Sequence, residues 1–182
     1  MKKKLPNQLT MARIFMIPLF LIVLYLPHGE KIGATFLSWI IAALIFAVAS
    51  FTDWLDGHLA RKWKVVSNFG KFADPLADKM LTMVAFVMLV TLNLAPAWVV
   101  AIIVCRELAV TGLRLLLVEQ GGTVLAAAMP GKIKTFTQML SIIFLLIGDP
   151  IYLGTILLYI CLIFTIYSGY DYFKNAKVKW EF

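Results

Sequence analysis

The chain has few acidic, cysteine and histidine residues. Ten Asp and Glu stand against 17 Lys and Arg among 182 residues, and there are only two Cys and two His. Cys105 and Cys161 both lie inside apolar runs, where a free thiol behaves as a small hydrophobe, so no disulfide is expected. His28 and His58 are isolated from each other, and no His-rich or Cys-rich set is present that would indicate a zinc site.

Apolar residues dominate what is present. They make up 62% of the chain, and charged residues make up 15%, whereas about half of a soluble domain is apolar. The formal charge of +7 lies mainly in segments between the apolar runs. Such segments favour anionic lipid headgroups and phosphorylated substrates as partners rather than nucleic acid. The composition therefore predicts a membrane protein.

Six apolar runs can be counted, at 8–27, 34–52, 76–94, 97–118, 135–148 and 151–170. Helices are expected, because an open sheet would leave backbone groups unpaired in lipid. The fifth run is short for a span and is expected to extend back through Gly131. The longest linkers are predicted at 61–72 and 119–132. The fold class is thus an all-α polytopic membrane protein, with residues 1–182 forming a single domain of six transmembrane helices.

The distribution of Lys and Arg predicts the orientation of these helices. Basic residues precede run one, separate runs two and three, flank the gap between runs four and five, and follow run six, while the alternate connections carry almost none. Because positive loops stay in the cytoplasm, both termini are expected there. The basic start lacks a small-residue cleavage site after its apolar run, so the first helix is expected to be retained.

Four of the ten acidic residues lie within residues 53–78, at the predicted cytoplasmic ends of helices two and three: Asp53, Asp56, Asp74 and Asp78. Carboxylates near membrane depth are costly and usually functional. Their spacings of three and four residues place each pair on one helix face. Hard oxygen ligands suit Mg²⁺ or Mn²⁺, and such a site suits two cations that clamp a diphosphate.

The same stretch resembles the CDP-alcohol phosphotransferase family. Its pattern is D-x-x-D-G-x-x-A-R, eight residues, then G-x-x-x-D-x-x-x-D, and every fixed position is filled, by Asp53, Asp56, Gly57, Ala60, Arg61, Gly70, Asp74 and Asp78. The resemblance implies a six-helix membrane enzyme, and a homodimer. It also implies that the aspartates bind metal, and that Asp78 is the general base that deprotonates the acceptor alcohol. The alternative for Asp78 is a metal ligand only.

The resemblance further implies a pocket for the CDP-lipid and one for the acceptor. Gly57, Ala60, Arg61 and Gly70 would line the CDP pocket, together with Asn7 and Thr10 of the opening PNQLTMAR, for which helix capping is the alternative. The segments RELAVTGLR and GKIKT resemble those of bacterial members that make phosphatidylglycerol phosphate. This implies CDP-diacylglycerol as donor, sn-glycerol 3-phosphate as acceptor and a site on the cytoplasmic side of a bacterial cell membrane.

The residues predicted to hold the acceptor phosphate are Arg106, Thr111, Arg114, Lys132 and Lys134. Arg106 and Arg114 are eight residues apart, about two helical turns, and so share a side. Glu107, next to Arg106, is interpreted as an ion-pair partner of Arg106 or of a lysine. For Lys132 and Lys134, the alternative to binding phosphate is that they are topology signals.

Three alternative functions stay open from the sequence. Cardiolipin synthase and an inositol phosphate transferase belong to the same family and differ in the acceptor. A divalent cation transporter would use the acidic cluster differently, although no internal repeat of the kind common in transporters is visible.

Overall fold

The computed structural model describes residues 5–25, 36–63, 68–119 and 129–175. Within these ranges it describes the side chains of 11–25, 36–52, 79–114, 116–117 and 129–175. The described residues form six α-helices and no strands: α1 Leu5–Tyr25, α2 Phe36–Trp63, α3 Asn68–Thr91, α4 Ala97–Glu119, α5 Met129–Leu146 and α6 Leu153–Asn175. A short 3₁₀ turn, Pro150–Tyr152, precedes α6. The expected all-α class is confirmed.

The helices extend further than the apolar runs predict. Helix α2 continues to Trp63 and α3 begins at Asn68, so most of the linker predicted at 61–72 is helical and that prediction is wrong. An apolar run indicates only the hydrophobic part of a helix. The backbone of the polar residues in 53–78 is largely helical as well, so the runs underestimate the length of α2 and α3. Helix α5 begins at Met129, which confirms its extension through Gly131 and shortens the linker predicted at 119–132. Pro130 fits there because a proline is tolerated in the first helical turn.

The core lies where the helices meet. Phe20 of α1, Phe46 of α2 and Phe86 of α3 are almost fully buried, together with leucines and isoleucines of α3 to α6. Helix α1 packs against α2 and α3, α5 packs against α6 and α2, and α4 packs against α6. The bundle thereby brings α3, α4, α5 and α6 around one polar region.

A tight connection joins α5 to α6. Asp149 adopts a left-handed conformation with φ of 50°, and its carboxylate accepts hydrogen bonds from the backbone N–H of Gly154 at 2.5 Å and from the Thr155 hydroxyl at 2.5 Å. A Cβ on Gly154 would lie 2.8 Å from the backbone nitrogen of Leu145, so only glycine allows this approach. The Ser141 hydroxyl donates to the Gly154 carbonyl at 3.1 Å. These contacts hold α5 against α6.

Each of the six helices exposes large hydrophobic side chains among the residues whose side chains are described. Large exposed hydrophobic side chains include Phe15, Leu44, Val87, Leu108, Phe136 and Ile163. Exposed hydrophobic side chains on every helix agree with a surface that faces lipid. Among the described residues, Pro150–Asn175 is long and apolar enough by itself to cross a membrane, and the apolar stretches Met11–Tyr25, Phe36–Thr52 and Lys79–Thr91 are shorter.

Candidate active site

A polar cavity of about 190 Å³ opens between α3, α4, α5 and α6. Four cationic and two acidic side chains line it and give it a formal charge of +2: Lys79, Arg106, Arg114, Lys134, Glu107 and Asp171. Charged residues are rarely buried in a membrane protein unless they pair with one another or bind a ligand. The cavity therefore suits a small anion.

Glu107 is the centre of the charge cluster. Its relative exposure is 9%, and its carboxylate pairs with Lys79 of α3, Lys134 of α5 and the neighbouring Arg106, whose Nη1 lies 3.3 Å from Oε1. One carboxylate thus pairs with cations from three helices. The ion-pair interpretation of Glu107 is confirmed, with three partners where the sequence suggests one.

Helix α6 holds both arginines of α4. Arg106 donates from Nη2 to the Ser168 hydroxyl at 2.9 Å, and Arg114 donates from Nε to the Tyr172 hydroxyl at 2.9 Å. The Arg114 guanidinium carbon also lies 5.0 Å from the centre of the Tyr172 ring. Since Ser168 and Tyr172 are one helical turn apart, a single face of α6 orients both guanidinium groups.

The predicted acceptor residues are mostly brought together. Arg106, Thr111, Arg114 and Lys134 line the cavity, and the Thr111 hydroxyl donates to the Glu107 carbonyl at 2.7 Å. Lys132 is exposed and is not among the lining residues. Two residues along a helix turn the side chain through roughly 200°, so Lys132 and Lys134 lie on opposite faces of α5.

Several cavity residues escaped the sequence analysis. They include Lys79, Thr82, Gln138, Ser168, Asp171 and Tyr172. Lys79 directly follows Asp78, and this position beside the aspartate motif was a usable indication that it belongs to the site. No comparable indication marks Ser168 or Tyr172, because a hydroxyl in an apolar run is common and its partner lies about 60 residues away in the chain.

The aspartate motif lies on the helices that the spacing argument requires. Asp53 and Asp56 belong to α2, and Asp74 and Asp78 belong to α3. These two helices contact each other. The side chains of all the motif positions, with those of Asn7 and Thr10 on α1, lie outside the described ones. Consecutive Cα atoms are about 3.8 Å apart, so the backbone of Asp78 directly adjoins Lys79, which lines the cavity.

Comparison with known proteins identifies the class of enzyme. The family model for CDP-alcohol phosphatidyltransferase matches residues 3–167, and the chain belongs to this family. The resemblance seen in the motif is thereby confirmed. Individual relatives indicate which acceptor alcohol this resemblance points to.

Bacterial relatives of the chain carry the name CDP-diacylglycerol–glycerol-3-phosphate 3-phosphatidyltransferase. The Bacillus subtilis protein is 44% identical over 97% of this chain and 95% of its own length. The Rickettsia felis protein is 39% identical over 96% of each chain, and the Salmonella typhimurium protein 36% over 97% of each. The similarity therefore extends over nearly the full length of every chain compared.

The two lysines of α5 provide a matched test of the cavity. Lys134→Met removes one of three cations around Glu107, and we expect a loss of stability of about 1.5–3 kcal/mol, as for a hydrogen bond to a charged group. Lys132→Met removes an exposed charge, and we expect a change within about 0.5 kcal/mol. Thermal unfolding of the two purified variants measures this difference. Equal destabilisation by both substitutions would contradict the placement of Lys134.

Proposed function

We propose that the protein transfers the phosphatidyl group from CDP-diacylglycerol to sn-glycerol 3-phosphate, with phosphatidylglycerol phosphate and CMP as products. The observation that carries the proposal is the cavity of formal charge +2, which adjoins the aspartate motif through Lys79. A phosphate monoester carries a charge of about −1.5 to −2 at pH 7, which this cavity complements. The full-length relatives named for this reaction support the same acceptor.

In this proposal Arg106, Arg114 and Lys134 bind the acceptor phosphate, and the Thr111 hydroxyl lies beside them. Arginine presents a planar set of donors that matches phosphate oxygens. With its phosphate bound by α4 and α5, the acceptor has its glycerol hydroxyls free for reaction with the group activated at the adjoining aspartate motif. Lys132 remains a predicted contact of the acceptor phosphate, although it does not line the cavity.

Asp78 then acts as general base. Its carboxylate takes the proton of an acceptor hydroxyl, whose oxygen forms a bond to the phosphorus attached to diacylglycerol. The bond from that phosphorus to the bridging oxygen breaks, and CMP leaves with the electron pair. Base assistance of this kind contributes about 10²–10⁴-fold to a rate.

The donor side is assigned to the motif and to α1. Asp53, Asp56, Asp74 and Asp78 supply hard oxygen donors from two contacting helices, which suits Mg²⁺ or Mn²⁺, and two ions are proposed to bind there. Bound there, the cations would neutralise the diphosphate and the leaving CMP. Gly57, Ala60, Arg61 and Gly70, with Asn7 and Thr10, are proposed to contact the CDP group.

The proposed setting is the cytoplasmic membrane of a bacterium, with residues 1–182 as one membrane domain. Six spans with both termini in the cytoplasm agree with the large hydrophobic side chains exposed on each helix and with the distribution of basic residues. A cytoplasmic site admits a soluble acceptor from the aqueous side. Association as a homodimer is part of the proposal.

The test is CMP release by the purified protein with CDP-diacylglycerol and Mg²⁺. We expect release that depends on sn-glycerol 3-phosphate. Release only with phosphatidylglycerol would indicate cardiolipin synthesis, and release only with inositol phosphate or serine would assign another acceptor. Mn²⁺ uptake into sealed vesicles without CMP release would indicate a transporter.

Arg114→Ala separates acceptor binding from donor binding. Because Arg114 lines the cavity, its loss is expected to raise the KM for glycerol 3-phosphate by about tenfold or more, in line with loss of a hydrogen bond between charged groups. The KM for CDP-diacylglycerol is expected to stay within about twofold. Steady-state kinetics with each substrate varied in turn measures both constants. An equal rise in both would remove Arg114 from the acceptor site.

A further inference from the structure

Helix α6 contributes to the cavity through residues that the reaction scheme above does not use. Ser168 and Tyr172 are buried, with exposures of 6% and 8%, and both line the cavity wall formed by α6. Each accepts a hydrogen bond of 2.9 Å from an arginine of α4 that the scheme assigns to the acceptor phosphate. The two contacts lie one turn apart on α6 and about two turns apart on α4, and they engage Nη2 of Arg106 and Nε of Arg114.

The packing around these contacts restricts where the arginine side chains lie. A Cβ on Gly169 would lie 3.3 Å from Cγ of Arg106, so α6 approaches the Arg106 side chain closely. The ring of Tyr172 lies under the Arg114 guanidinium, and its hydroxyl accepts from Nε. An arginine held in this way keeps its two terminal amino groups available for other acceptors, since Nε is the atom engaged.

We propose that Ser168 and Tyr172 are positioning residues that orient Arg106 and Arg114 for the phosphate of the acceptor. This inference rests on the proposed function and adds α6 to its acceptor site. Long side chains such as arginine lose rotamer freedom when they bind a ligand. Fixing both guanidinium groups before binding lowers that cost, so the contribution of α6 is to acceptor affinity.

The closing experiment measures how each hydroxyl acts through its arginine. Tyr172→Phe removes the hydroxyl and keeps the ring, and Ser168→Ala removes the other acceptor. We expect each to raise the KM for glycerol 3-phosphate by about three- to tenfold and to leave the KM for CDP-diacylglycerol unchanged. In the Arg114→Ala background, Tyr172→Phe is expected to add nothing, and Ser168→Ala to add nothing in the Arg106→Ala background.

Matched controls separate positioning from general stability. Tyr170 is on the same helix with 68% exposure and does not line the cavity, so Tyr170→Phe is expected to leave both constants unchanged. Ser141 is fully buried and bonds the Gly154 carbonyl away from the cavity. Ser141→Ala is expected to lower the unfolding temperature without a selective change in the KM for glycerol 3-phosphate.

The proposed reaction and the proposed role of Ser168 and Tyr172 can be tested separately. Calorimetry measures the binding of glycerol 3-phosphate to the wild type and the variants in the presence of CDP-diacylglycerol. Normal turnover with unchanged constants in Tyr172→Phe and Ser168→Ala would overturn the role of α6 alone. The role of α6 would also be overturned if Tyr172→Phe raised the KM equally with and without Arg114. Binding without CMP release would overturn the proposed reaction, while a weaker affinity in the variants would still support α6. The absence of both glycerol 3-phosphate binding and CMP release would overturn both proposals.

Discussion

Asp78→Asn is expected to reduce glycerol 3-phosphate-dependent CMP release by about 10²–10⁴-fold, the contribution of a general base. An amide has nearly the same shape as a carboxylate but takes up no proton, so the substitution tests the base role with little change in volume. Binding of CDP-diacylglycerol is expected to persist. The measurement is CMP release together with equilibrium binding of the CDP-lipid by the same purified variant.

An aspartate outside both sites is the control for this substitution. Asp149→Asn makes the same chemical change in the connection between α5 and α6, where the carboxylate accepts hydrogen bonds from Gly154 and Thr155. It is expected to lower thermal stability and to retain turnover at a permissive temperature. Full activity in Asp78→Asn would remove Asp78 from the base role. Loss of both activity and CDP-lipid binding would assign it to metal binding instead.

Glu107→Gln is expected to destabilise the protein by about 3–5 kcal/mol, because removing one partner of a buried ion pair leaves the other charges uncompensated. The effect is large here since one carboxylate serves Lys79, Arg106 and Lys134. The helices α3, α4 and α5 would lose their shared ionic contact. Thermal unfolding of the purified variant measures the loss.

Glu107→Asp is the matched variant for this prediction. It keeps the negative charge on a side chain shorter by one methylene, and we expect it to recover most of the stability that Glu107→Gln loses. The two variants separate charge from hydrogen-bond geometry. A Glu107→Gln protein as stable as the wild type would contradict a central role for this carboxylate, and equal losses in both variants would assign the effect to geometry.

The aspartate motif was readable from the sequence because it is local. Its eight fixed positions lie within 26 residues, and helical spacing alone places each aspartate pair on one face. The helices themselves were readable because apolar runs of this length have few alternatives in a membrane. The end of α2 and the start of α3 could not be predicted in this way, because the motif residues are polar and hydrophobicity does not indicate that their backbone is helical.

Family membership and three of the four arginine and lysine positions of the cavity wall also followed from the sequence: Arg106 and Arg114 share a helix face by spacing, and Lys134 lies in a basic segment. The tertiary structure alone decided which lysine of α5 faces the cavity, that Glu107 joins three helices, and that Ser168 and Tyr172 hold the arginines. The physical reason is that spacing along one helix determines a relative face. Which neighbour that face meets depends on how separate helices pack, and residues about 60 positions apart in sequence come into contact only then.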